Sequence, residues 1–127
     1  MLRLIKIILW LFLLNCFNSN ITFANNFTLK ECKQISDVVN KDVPKIIDKV
    51  TTLIGTICTF GPIFIYNYQV DNSIDYISNS FDAKVRRQWC SNPKFKMLIN
   101  RLEAINFVYY KNNGDYVKTI VISKKYC

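Results

Sequence analysis

The sequence predicts a small α+β domain in the order α-β-β-α-β-β, with an N-terminal helix and a second helix packed on a four-stranded antiparallel sheet and two disulfides. Three observations carry this. Behind the first 24 residues the chain keeps four cysteines, Cys32, Cys58, Cys90 and Cys127, which suffice for two crosslinks in an exported chain. Two stretches repeat apolar residues every three or four positions, as one face of a helix does. Four others are rich in β-branched and aromatic residues and fall into pairs, broken at Gly61-Pro62 and at Asn113-Gly114.

The start of the 127-residue chain has the three parts of a secretory signal. Arg3 and Lys6 form the charged head, Ile7 to Phe17 the apolar stretch, and Thr22-Phe23-Ala24 places small residues where signal peptidase reads them. Residues 1–24 are expected to be a signal cleaved before Asn25, since the apolar stretch falls short of the roughly twenty residues that a membrane span needs. A lipid-anchored alternative would use Cys16, but Asn15 stands before it where lipoprotein sites carry a small residue. Residues 25–127 then make one disulfide-stabilised domain, too short for two cores.

The domain opens with a helix. Thr28-Leu29-Lys30-Glu31 fits a capping box, and Leu29, Cys32, Ile35 and Val39 follow on one face. Pro44 should end or restart that helix near residue 43, with a second short turn carrying Ile46 and Ile47. Val50 to Cys58 and Ile63 to Val70 read as a hairpin across Gly61-Pro62. Ile74, Ile77, Phe81, Val85 and Trp89 then mark the second helix, capped by Asp71 or Asn72, before Pro93 interrupts it. Lys94 to Leu102 adds a short helical turn, and Ile105 to Tyr110 with Tyr116 to Ser123 forms the clearest hairpin, because Asn113-Gly114 supplies the positive φ of a tight reversal.

Four cysteines allow three connectivities. If the four strands alternate in direction, Cys32 and Cys58 meet at one end of the sheet while Cys90 and Cys127 meet at the other, and those pairs need the least backbone movement.

Charge is uneven. Residues 25–127 hold 15 Lys and Arg against nine Asp and Glu, and the segment from Ala83 to Leu102 carries Lys84, Arg86, Arg87, Lys94, Lys96 and Arg101 with no acid. Trp89 and Phe95 lie inside it. Such a strip, with Trp89 among the cations, is a candidate partner-binding surface, because clustered charge steers association and planar rings add contact area. The same residues would otherwise coat the outer side of a helix whose aromatic rings fill the core. Tyr66 with Tyr68, and Tyr109 with Tyr110, are further candidate anchors.

Catalysis finds little support. The chain has no histidine, and its acidic residues fall in no spacing that general acid–base work requires. The cysteines lack the close pairs of structural zinc sites, so no metal and no cofactor are expected.

Phe27-Thr28-Leu29-Lys30-Glu31 resembles the Phe-Thr-Leu-x-Glu that follows the cleavage site of type IV pilins. In that family the long apolar helix follows the motif, whereas here the apolar stretch precedes it, so no pilin function is carried over. The wider pattern, a helix on a short antiparallel sheet with bracketing cysteines, is similar to small exported bacterial proteins and to cystatin-like folds. That likeness concerns architecture, which does not fix function. The expected role is non-enzymatic: an exported, periplasmic or secreted binding protein with a protein partner, such as an inhibitor or immunity protein acting on a toxin or hydrolase. The alternative is a peripheral factor that binds anionic lipid or cell-wall polymer through the basic strip. No nucleic-acid motif accompanies the charge.

Overall fold

A computed structural model of the chain describes residues 26–127. The expected signal (1–24), its cut before Asn25 and Cys16 lie outside them. The order of elements is α1 (Leu29–Asn40), β1 (Lys45–Ile46), β2 (Thr51–Thr59), β3 (Ile63–Val70), α2 (Asn79–Ser91), α3 (Pro93–Arg101), β4 (Ala104–Lys111) and β5 (Tyr116–Ile122), closed by a 3-10 turn at Lys124–Tyr126.

The strands form one five-stranded sheet in sequential order, β1-β2-β3-β4-β5. Three junctions are antiparallel, but β3 and β4 run parallel, from Ile63 beside Ala104 to Val70 beside Lys111. This corrects the all-antiparallel, four-stranded expectation. The physical reason lies between the two strands: α2 and α3 form a crossover long enough to return the chain to the end where β3 began, which a parallel pair needs and a hairpin does not. The fifth strand is the short edge pair Lys45–Ile46, which occupies the place of the turn expected around Ile46 and Ile47.

Local chemistry sets the helix ends. Thr28 caps α1, its hydroxyl accepting the Glu31 amide (3.1 Å) and donating to the Glu31 carboxylate (3.0 Å). The second helix starts later than its apolar spacing suggests, at Asn79 under a Ser78 cap. Ile74 and Ile77 do pack on the core, but from the loop that leads into α2, and Asp71 turns that loop by accepting the Ser73 amide (2.9 Å) instead of capping the helix. Pro93 opens a helix of its own: Asn92 caps it through the Lys94 amide (3.0 Å), and Pro93 sits at the first helical position, where its missing N–H costs nothing.

Two glycines fix the hairpin turns. Gly61 has φ +151°, and a Cβ there would stand 2.8 Å from Glu103 Oε2 and 3.0 Å from the Ile63 side chain. Gly114 takes φ +93° in the β4–β5 turn.

All three helices lie on one side of the sheet. Phe64, Val70, Ile105, Phe107, Tyr109, Ile120 and Ile122 form the sheet's half of the core, and Cys32, Ile99 and Leu102 the helices' half. Cys32 bonds Cys58, tying α1 to the end of β2, and Cys90 bonds Cys127, tying α2 to the C-terminal turn. Cys58 pairs across with Phe64, Phe64 with Ile105, and Ile105 with Ile122, so both bridges serve the same end of the sheet. The alternating-strand argument had placed them at opposite ends; the parallel junction turns β4 and β5 over and brings them together.

Candidate functional site

The residues of the basic strip separate into two groups. Arg86 is a clamp: its Nε donates to the Val121 carbonyl (3.0 Å), stands 3.2 Å from Asp82 Oδ1, and its guanidinium lies 4.9 Å from the Tyr126 ring centre. Lys118 of β5 reaches the other Asp82 oxygen (3.3 Å) and donates to the Ile77 carbonyl (3.3 Å) and Asn79 Oδ1 (3.1 Å). Arg86, Asp82 and Lys118 thus dock α2 on the edge strand. Arg101 lies 3.9 Å from the Phe27 ring centre and 3.7 Å from the Glu31 carboxylate, and its carbonyl accepts the Phe27 amide (2.8 Å). Trp89 turns inward, stacked on Phe95 at 4.0 Å and edge-on to Phe107 at 5.0 Å and Tyr66 at 6.0 Å, so it packs on the core rather than standing among the cations. Lys84, Arg87, Lys94 and Lys96 remain on the outer sides of α2 and α3, all exposed.

The tyrosines divide in the same way. Tyr66 and Tyr68 stack along β3, and Tyr68 stacks on Tyr109 at 5.0 Å, within the aromatic layer beneath the helices. Burial pushes the Tyr66 and Tyr68 phenols up, and with help from the nearby Asp48 carboxylate it pushes Tyr109 up to about 12. Tyr110 faces away and meets Tyr116 edge-on.

A different surface gathers at the end of the sheet opposite the disulfides. There the start of β2, the end of β3, the loop 71–78 and the first turn of α2 enclose an open cleft of about 260 Å³. Val70, Ile74, Ile77 and Tyr109 line its depth, and Val50, Tyr76 and Phe81 stand at its mouth. Those three are 45, 78 and 43 % exposed, so apolar side chains face water around the cleft, and Ile47, three residues before Val50, is 50 % exposed. Asp48 is the charged residue in the lining; its carboxylate accepts the Val50 amide (2.9 Å). Asp71 adjoins it, its amide donating to the Val50 carbonyl (3.0 Å), and the Ser73 bonds hold its carboxyl below the usual range.

Sequence reasoning missed this cleft because its lining comes from three separate segments, residues 48–51, 70–81 and Tyr109. The signal that could have marked it is Tyr76, an aromatic residue between Asp75 and Ile77 that falls off the three-four spacing of the inward-facing series. Among the described residues no cluster of three or more Cys, Asp or Glu side chains is placed to hold a metal.

No family model matches the chain, and no curated protein matches its sequence. Solved structures do match its fold. A predicted secreted protein of Pseudomonas aeruginosa superposes with a TM-score of 0.66 at 15% identity, over 78% of this chain and 91% of that one. The pilotin of the Vibrio vulnificus type 2 secretion system gives 0.65 at 7% identity, over 78% and 90%. The type II secretion system pilotin of Vibrio cholerae gives 0.60 at 9% identity, over 78% and 91%. At these identities the likeness is one of fold.

Proposed function

We propose that the chain is an exported, non-enzymatic domain that binds a protein partner through the apolar cleft between Val50, Tyr76 and Phe81. The observation that carries this is the exposure of those three side chains around one concavity, whereas the other exposed aromatic rings, Phe60, Tyr116 and Tyr126, stand elsewhere on the domain. Two disulfides suit an oxidising compartment, and the fold is shared with components of secretion machinery, which supports a periplasmic or secreted protein-binding role. Neither the neighbours nor the surface points to a toxin or hydrolase as the partner.

A second reading rests on Lys84, Arg87, Lys94 and Lys96, which leave a basic outer face on α2 and α3 that would suit anionic lipid or cell-wall polymer. A photo-crosslinking residue placed at position 76 and, separately, at position 84 separates the two. The cleft reading expects one discrete protein adduct in envelope preparations from position 76, abolished by Val50→Asp and kept by Lys84→Glu with Arg87→Glu. Adducts from position 84 alone, lost with Arg87→Glu and Lys94→Glu, would support the second reading and refute the first.

A further inference from the structure

The cleft mouth carries a specific charge pattern. Asp48 lines it and accepts the Val50 amide, and Asp71 adjoins it, its backbone amide donating to the Val50 carbonyl. Each carboxylate is engaged by amides of its own turn, Val50 for Asp48 and Ser73 for Asp71, and neither forms a salt bridge among the described residues. The neighbouring acids differ: Asp75 is held by Lys111 at 2.6 Å, and Asp82 by Arg86 and Lys118. Lys49, in the same turn as Asp48, is exposed and pairs with neither. Six Asp and Glu carboxylates of the described residues form no salt bridge, and Asp48 and Asp71 are the two of them that stand beside the exposed apolar concavity. The volume, about 260 Å³, admits one or two side chains and not a drug-sized ligand.

Resting on the reading of the cleft as a docking site, we infer that its occupant is a partner-protein segment with one or two large apolar anchor side chains flanked by lysine or arginine. The anchors fill the space between Tyr76, Phe81 and Ile77, and the flanking cations reach Asp48 and Asp71. Apolar burial supplies most of the affinity, whereas the ion pairs select orientation and partner, because exposed pairs add little energy but like charges in the same place repel.

The test uses three short amphipathic peptides with the same Leu and Phe anchors, flanked by Lys, by Gln or by Glu, titrated against the purified protein by fluorescence anisotropy. The Lys peptide should bind about three- to ten-fold tighter than the Gln peptide, as two exposed ion pairs allow, with the Glu peptide weakest. High salt should compress that order. Asp48→Asn with Asp71→Asn should erase the difference between Lys and Gln while leaving Gln binding in place, and Tyr76→Asp should remove all three.

Equal binding of all three peptides would overturn the charge inference and leave the docking site standing. Binding of none would remove the docking site with it. Two other occupants are read in the same experiment. A dimer in light scattering that Tyr76→Asp dissociates would assign the cleft to a second copy, and selective binding of a peptide of residues 1–17 would assign it to the chain's own apolar, Arg3- and Lys6-bearing start; either result overturns the partner assignment.

Discussion

Asn40, the last residue of α1, offers the sharpest stability test. Its side-chain amide takes the place of a neighbouring strand at the edge of the sheet: Oδ1 accepts the Thr56 amide (2.7 Å) and the Thr56 hydroxyl (3.0 Å), and Nδ2 donates to the Thr56 carbonyl (2.8 Å). Thr56 is 2 % exposed, so water has poor access to these groups. In Asn40→Ala the carbonyl and hydroxyl of Thr56 keep Ser36 Oγ, at 2.9 and 2.8 Å, but the Thr56 N–H loses its partner. One orphaned buried donor costs about 1–3 kcal/mol, so the expected loss is about 2 kcal/mol. For a domain near 100 residues each kcal/mol moves Tm by roughly 4–8 °C, which gives a fall of about 8–16 °C.

The assay is urea unfolding followed by circular dichroism, with the disulfides intact and Gln34→Ala, exposed on the same helix, as the control expected within about 0.5 kcal/mol of wild type. Asn40→Asp sharpens it. The carboxylate retains the acceptor for the Thr56 amide but sets an oxygen against the Thr56 carbonyl, which raises the folded-state pKa of the new acid. Its stability is therefore greatest below the unfolded carboxyl pKa and lost as pH rises through the folded one. An Asn40→Ala variant as stable as the control would refute the reasoning, because water would then be replacing the amide.

Other perturbations have equally definite outcomes. Asp82→Ala strips Arg86 and Lys118 of their shared carboxylate, which is 14 % exposed, and should cost about 1–3 kcal/mol; Lys84→Ala on the same helix should change stability by less than about 0.5 kcal/mol, and equal effects of the two would dismiss the clamp. Replacing Cys90 and Cys127 together by alanine opens a loop closed over a separation of 37 residues and should cost about 4 kcal/mol by loop entropy, against about 3.5 kcal/mol for Cys32 and Cys58, separated by 26. Unchanged urea midpoints would contradict this. Tyr109, pushed up to about 12 by burial and then by Asp48, is stabilised as the neutral phenol, so its contribution is complete below pH 10 and is lost at about 1.4 kcal/mol per pH unit between roughly 10 and 12. Stability that stays flat from pH 9 to 11 would disprove it. At the acid end, Asp75, held low mainly by its bond to Lys111, contributes stability above its unfolded pKa that fades as pH falls through its folded value, and Lys111→Ala should abolish that dependence.

What the sequence disclosed follows from where each determinant sits. The Thr28 cap, the strands on either side of Gly61-Pro62 and the hairpin around Gly114 depend on residues within a few positions of one another, and they stand where local chemistry puts them. The direction of β4 depends on a path of some thirty residues through α2 and α3, and no local pattern records it. Ile74 and Ile77 imitate a helix because both are buried at one face, yet a loop can bury the same two side chains. Arg86 looked like surface charge because the carbonyl it satisfies, Val121, lies 35 positions away. The cleft was least legible, since Val50, Tyr76 and Phe81 become neighbours only after folding.

The parallel seam between β3 and β4 has a consequence for how the molecule is divided. The Cys32–Cys58 loop closes before β3 and the Cys90–Cys127 loop encloses β4, so no disulfide joins the two halves. Each half is separately pre-constrained, and their union is noncovalent: eight parallel register pairs, the contacts of Tyr66 and Tyr68 with Phe107 and Tyr109, Trp89 against Tyr66, and Arg101 with Phe27 and Glu31. Nicked in the exposed loop at Asn72 and Ser73, the chain would consist of two disulfide-closed fragments held together by noncovalent contacts alone. The cleft borders that same loop, so a ligand gripping both Val50 and Phe81 would act as a clasp across the join.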